Sequence, residues 1–128
     1  MKLTERLEAI EAGYEFSLAY AAQGRGDDSG SPVRAMLERM FAALEGLPAE
    51  IDAAFPMAGA AHAASSRQFL DAVRQDCLVA QGAIGLVLDA PAIGLLLVDN
   101  LNATIHLRAL LTDLFLVDQA LKASSRSR

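Results

Sequence analysis

A chain of 128 residues has the length of one domain, and its net charge of −5 is unsuited to nucleic acid, whose binding depends on neutralising phosphates. Its residues are 53% hydrophobic and only 5% aromatic, with no tryptophan, which favours helix over strand and leaves little polar surface to wrap a small monomer. Cys77 is the only cysteine, so no internal disulfide can form. The first residues carry no apolar core of the signal-peptide type. The most apolar run, 93–98, is too short to span a bilayer. Together these features predict a cytoplasmic protein with no membrane segment.

Leu3, Leu7, Ile10, Tyr14, Leu18 and Ala21 recur at three and four, which predicts a first helix over 3–23 with Thr4 as its cap. Gly13 inside it points to close packing against a neighbour. Residues 24–30, rich in Gly, Asp and Ser, form a loop. They include Arg25-Gly26-Asp27, an integrin tripeptide that needs extracellular display, for which the chain shows no secretion signal. Ser31-Pro32 opens a second helix over 32–46, buried through Val33, Met36, Leu37, Met40, Phe41, Leu44 and Leu47. Gly46 ends it and Pro48 bars its resumption, with a short helix possible over 49–55.

Ser65 and Gln68 match a capping box, so a third helix is expected over 66–89. Its apolar stripe is Phe69, Val73, Cys77, Ala80, Ile84, Val87 and Leu88, which makes Cys77 a core residue. Residues 83–89 and 92–99 are near-repeats. They read as a tight helical hairpin with Gly85 facing Gly94, or as a β-hairpin over 83–98. A fourth helix over 91–122 is expected to start at Pro91. It has two apolar sectors. Leu96, Leu107, Leu110, Leu114 and Leu121 form one, and Leu97, Leu101, Ile105 and Phe115 the other, as in a helix that contacts two things.

Asp99, Asn102, His106 and Asp113 are spaced three, four and seven, so on one helix they share a stripe. Carboxylate, amide and imidazole are the groups of a metal or proton-transfer site, and also of a solvated face. In a hairpin about Ala90, Arg67 would meet Asp113, and Arg74 would meet Asp99 or His106. Tyr14 and Arg74 are further polar anchors for a ligand between helices, with Gly13, Gly82, Gly85 and Gly94 leaving space. His62 is expected near the apolar side of the third helix. Glu-x-x-His, His-Glu-x-x-His, Cys-x-x-Cys-His, a phosphate loop and a nucleophile elbow are all missing from the sequence.

The expectation is an all-α, up-and-down antiparallel four-helix bundle over 1–123 that forms a homodimer, with a disordered basic tail over 124–128. Its expected function is protein–protein interaction, as a scaffold or regulator, with no catalytic residues, metal or cofactor. The first alternative is a binding module for a small apolar or amphipathic ligand. The second is a metal-dependent protein using the Asp99, Asn102, His106 and Asp113 stripe.

Overall fold

The computed structural model describes residues 1–56 and 59–126. It is all-helical, with no strand among the described residues. The helices are α1 (Leu3–Ala21), α2 (Val33–Glu45), α3 (Leu47–Ala54), α4 (Ala63–Leu88), α5 (Leu95–Ala103) and α6 (Ile105–Arg126).

Helix α1 packs on α2 and α5, α2 on α4, and α4 on α6, with a smaller contact between α6 and α1. Side-chain contacts give the directions. Arg6 of α1 reaches Ala43 of α2, whereas Gly13 meets Met40. Arg34 of α2 reaches Leu88 at the end of α4, whereas Phe41 meets Gly85 and Gln81. Phe69 and Ala120 line one cavity between α4 and α6. Asp76 of α4 likewise lies near Asp113 of α6, so in α1–α2, α2–α4 and α4–α6 numbers rise on one helix as they fall on the next, and these pairs run antiparallel. The core lies among these helices, with Ile10, Tyr20, Leu37, Met40, Leu44, Ile84, Leu107, Leu110 and Leu114 fully buried. Burying such side chains contributes ~1.5–3 kcal/mol each.

Two arginines close helix ends. Helix C-termini leave carbonyls without partners. Arg6 donates to Ala42 O and Ala43 O near the end of α2, at 3.3 and 2.9 Å. Arg34 donates to Leu88 O (2.9 Å) and Ala90 O (3.0 Å) at and beyond the end of α4 and pairs with Asp28 at 3.0 Å.

The expected boundaries shift where local chemistry competes with the pattern. Ser31 accepts the N–H of Val33, as an N-cap residue does. Pro48 does not bar a helix but sits in the first turn of α3, where its missing N–H costs nothing. Helix α4 starts at Ala63, so Ser65 lies inside it and does not cap, and His62 is exposed at the N-cap position. On α1, Leu18 is 44% exposed, whereas Tyr20 is fully buried. Helix α6 continues through Arg126, so the tail expected from residue 124 is helical there; Ser127 and Arg128 lie outside the described residues.

The largest correction concerns 91–122. No helix starts at Pro91, and 83–98 is neither a helical hairpin with facing glycines nor a β-hairpin. Residues 93–94 run past the 24–30 loop instead. Asp28 Oδ1 accepts the Ile93 N–H at 2.9 Å, and Arg25 O accepts the Leu95 N–H at 2.8 Å. The buried Tyr20 hydroxyl bonds Ile93 O and Asp27 O. Gly94 therefore faces the backbone of Gly26, and Gly85 faces Phe41. A second break falls at Thr104, whose backbone is extended (φ −65°, ψ 138°). Its hydroxyl and its N–H both donate to Leu101 O, at 2.7 and 3.2 Å, a local bond that competes with helix.

Candidate functional site

The break at Thr104 divides the polar stripe between two helices. Asp99 is exposed on α5, and Asn102 bonds Ser17 O of α1 at 3.0 Å. His106 is half-buried in the first turn of α6, and Asp113 is half-buried two turns further on. Arg74 lies elsewhere, held by Asp52 of α3 and Asp71 of its own helix, while Arg67 also pairs with Asp52. The expected pairings Arg67–Asp113 and Arg74–Asp99 or Arg74–His106 are thus replaced by a cluster around Asp52. The hairpin register about Ala90 fails because the six non-helical residues 89–94 separate α4 from α5. Among the described residues, no group of three His, Cys, Asp or Glu side chains is placed to hold a metal ion.

Two of the expected residues do converge at the junction of α1, α5 and α6. The Tyr14 hydroxyl accepts a long bond from Arg108 Nε (3.4 Å), and Asn102 reaches Ser17 across the same junction. Ser17 Oγ and Asn102 Oδ1 are buried there without a hydrogen-bond partner among the described residues. Uncompensated burial of such atoms costs ~1–3 kcal/mol each, so this is a weak point in the packing. Beside it, Asn102, Ala103, Thr104, Ile105 and Arg108 line a cavity of about 280 Å³.

In the seam between α4 and α6, burial raises the Asp113 carboxyl above the usual range, and the nearby charge of Asp76 adds to the rise. Cys77 is buried one residue on. Burial, with a smaller effect from Asp76, pushes its thiol up to about 12, so it stays protonated and unreactive at neutral pH. This agrees with its expected place in the core.

No family, curated protein or solved structure matches this chain. What function can be read therefore rests on the chain's own surfaces.

A cavity of about 370 Å³ opens between α3, α4 and α6. Phe55, Phe69, Leu70, Leu116, Val117 and Ala120 give it apolar walls, and Ser65 and Ser66 add hydroxyls. None of these residues belongs to the polar set picked from the sequence. The apolar character of 69–70 and 116–117 was visible, but their meeting was not. Several large apolar side chains also face outward. Leu86 is 77% exposed, Ile105 74%, Leu96 71%, Leu116 59% and Leu78 57%. The sectors expected on the fourth helix are redistributed. Leu96 is exposed and Leu101 buried because the break at Thr104 resets the helical phase.

The Arg25-Gly26-Asp27 loop is bonded to its own neighbours, with Arg25 half-buried and Gly26 and Asp27 exposed. Arg25 donates to Ser29 O, the Asp27 carboxylate accepts the Ser29 N–H at 3.1 Å, and Arg25 lies 6.0 Å from the Tyr20 ring centre. Its role here is to hold the Ile93–Gly94 segment.

Proposed function

We propose that this is a non-catalytic interaction protein of the cytoplasm, an antiparallel four-helix bundle that works as a homodimer through an apolar helical surface. The observation that carries the reading is the set of leucine and isoleucine side chains left more than half exposed on α4 and α6. Leu78, Leu86, Ile105 and Leu116 would each yield ~1–2 kcal/mol when covered, doubled over two copies. Association costs ~4–15 kcal/mol, comparable to that gain, so the balance supports a weak, concentration-dependent dimer rather than a nanomolar one. The antiparallel α1–α2, α2–α4 and α4–α6 pairs support the bundle, with α3 and α5 as shorter added elements. The buried thiol of Cys77 is compatible with a reducing compartment. Light scattering coupled to size exclusion tests the reading. The expected mass at ~100 micromolar approaches twice 13.6 kDa and falls on dilution. A constant 13.6 kDa would overturn it.

The cavity of about 370 Å³ supports a second reading, a site for a small amphipathic ligand with an apolar body and a group that bonds Ser65 or Ser66. Titration with an anilinonaphthalene sulfonate dye, compared with an Ala120→Phe variant that fills the cavity, tests it. Saturable binding abolished by the variant supports the site. Equal binding by both proteins rejects it.

A further inference from the structure

The outward face of α4 is unusual for an acidic protein. Its exposed positions from Ala72 onward are Gln75, Leu78, Gly82 and Leu86, with Val79 half-exposed beside them. They recur at three and four, so they form one stripe about four turns long. None is charged, although the chain carries a net charge of −5. The charged residues within this stretch point sideways. Arg74 is held by Asp52 of α3, and Asp76 acts on Asp113 of α6.

Gly82 stands in the middle of this stripe. A β-carbon built there meets nothing within 4 Å, so no packing inside the monomer calls for glycine. Glycine in mid-helix destabilises by roughly 0.5–1 kcal/mol relative to alanine. Leu78 and Leu86 project one turn on either side of it, 57% and 77% exposed. The face thus has two knobs flanking one notch.

Building on the homodimer reading, we infer that the partner on this face is the α4 of a second copy, antiparallel, with the twofold axis at Gly82. In that register, residue numbers facing each other sum to 164. Leu78 of one copy packs on Leu86 of the other, and both contacts occur twice, as an isologous interface requires. The glycine lets the two backbones approach closely where the helices cross. Charge favours the same arrangement. The twofold sets like edges of the stripe against each other, so Asp89, exposed at the end of α4, comes level with Gln75 of the partner and beside its Arg74, which Asp52 and Asp71 hold in place. The neutral stripe between them allows two acidic copies to meet without opposing like charges.

The full chain tests this in two ways. Leu86→Glu sets carboxylates against apolar Leu78 and should raise the dissociation constant at least ~30-fold by sedimentation equilibrium. Under mild oxidation, Gly82→Cys should form an intermolecular disulfide within minutes, since the twofold brings the two α-carbons within bonding range. Wild type, with its thiol buried at Cys77, and Glu11→Cys on the exposed side of α1 serve as controls and should stay uncrosslinked. If wild type dimerises, yet Leu86→Glu does so equally and Gly82→Cys crosslinks no faster than Glu11→Cys, the α4 interface is wrong while the homodimer stands. A wild type monomeric at every concentration overturns both.

Discussion

Gly94→Ala isolates the contact that holds the chain's central crossing in place. The backbone there (φ −97°, ψ 177°) is open to any residue, so alanine adds no torsional strain. The difficulty is space. A β-carbon at this position would lie 2.6 Å from Gly26 O and 3.2 Å from Gly26 C, both backbone atoms that cannot rotate aside. Relief requires the 24–30 loop and the 93–95 strand-like segment to part by nearly an ångström. Overpacking of this kind costs ~1–3 kcal/mol. The separation also weakens the 2.8 Å bond from Leu95 N–H to Arg25 O, worth ~1 kcal/mol. Reduced freedom in the unfolded chain returns ~0.4–1 kcal/mol. The net loss is about 2–3 kcal/mol, which for a domain of this size lowers Tm by about 10 °C. Thermal melts followed by circular dichroism, with urea titration as a check, read it directly. An unchanged or higher Tm would mean that the loop does not dock on Gly94, and would remove the reason given for the absence of a helix at Pro91.

Further predictions follow from the same contacts and from the buried groups. Tyr20→Phe removes the hydroxyl from two carbonyls, Asp27 O and Ile93 O, and should destabilise by ~1–3 kcal/mol in urea melts with little change in m. Asp28 is held below its usual range first by the Ile93 N–H and then by Arg34, so its stabilising effect is present above pH ~4 and lost as acid protonates it. Asp28→Asn should therefore be less stable than wild type at neutral pH and converge with it in acid. Asp113 has the opposite sign. Its carboxyl is raised by burial and by Asp76, so its stabilising effect is complete below its unfolded value and lost as pH rises through its folded one. Asp113→Asn should be more stable than wild type at pH 7 and equal to it near pH 3. Cys77 should resist an aromatic disulfide reagent in the native protein at pH 8 and react at once in denaturant; rapid native labelling would contradict its burial.

The helical class and most of the α2 and α4 faces were legible because their apolar residues keep a period near 3.6 over several turns. Val33, Leu37, Met40 and Leu44, and likewise Val73, Cys77, Ala80 and Ile84, are buried as that period predicts. Gly13 was legible too, since its helix position implies the close approach that Met40 makes. The 93–104 region was not legible as one helix because long-range bonds override it. The 24–30 loop captures Ile93 and Leu95, and no local pattern announces a partner some 65 residues away. The break at Thr104 did leave a trace. Asn100, Asn102 and Thr104 are three helix-weak residues within five, and Asn102, which belongs to the polar stripe expected from spacing, and Thr104 both bond backbone. The same error assembled Asp99, Asn102, His106 and Asp113 into one face. Tyr20, Asp28 and Arg34 tie three segments together through partners distant in sequence, which no local spacing marks.

The central claim, that an apolar face of α4 is covered by a second copy, is tested most directly by amide spectra on dilution. Proton–nitrogen correlation spectra of the labelled protein, recorded from ~1 millimolar to ~10 micromolar, follow a weak self-association across a hundredfold range of concentration. The account predicts shifts concentrated at Leu78, Gly82, Leu86 and Asp89, with little change on the outer side of α1. Spectra that superimpose throughout, with tumbling of a 13.6 kDa particle, would contradict it.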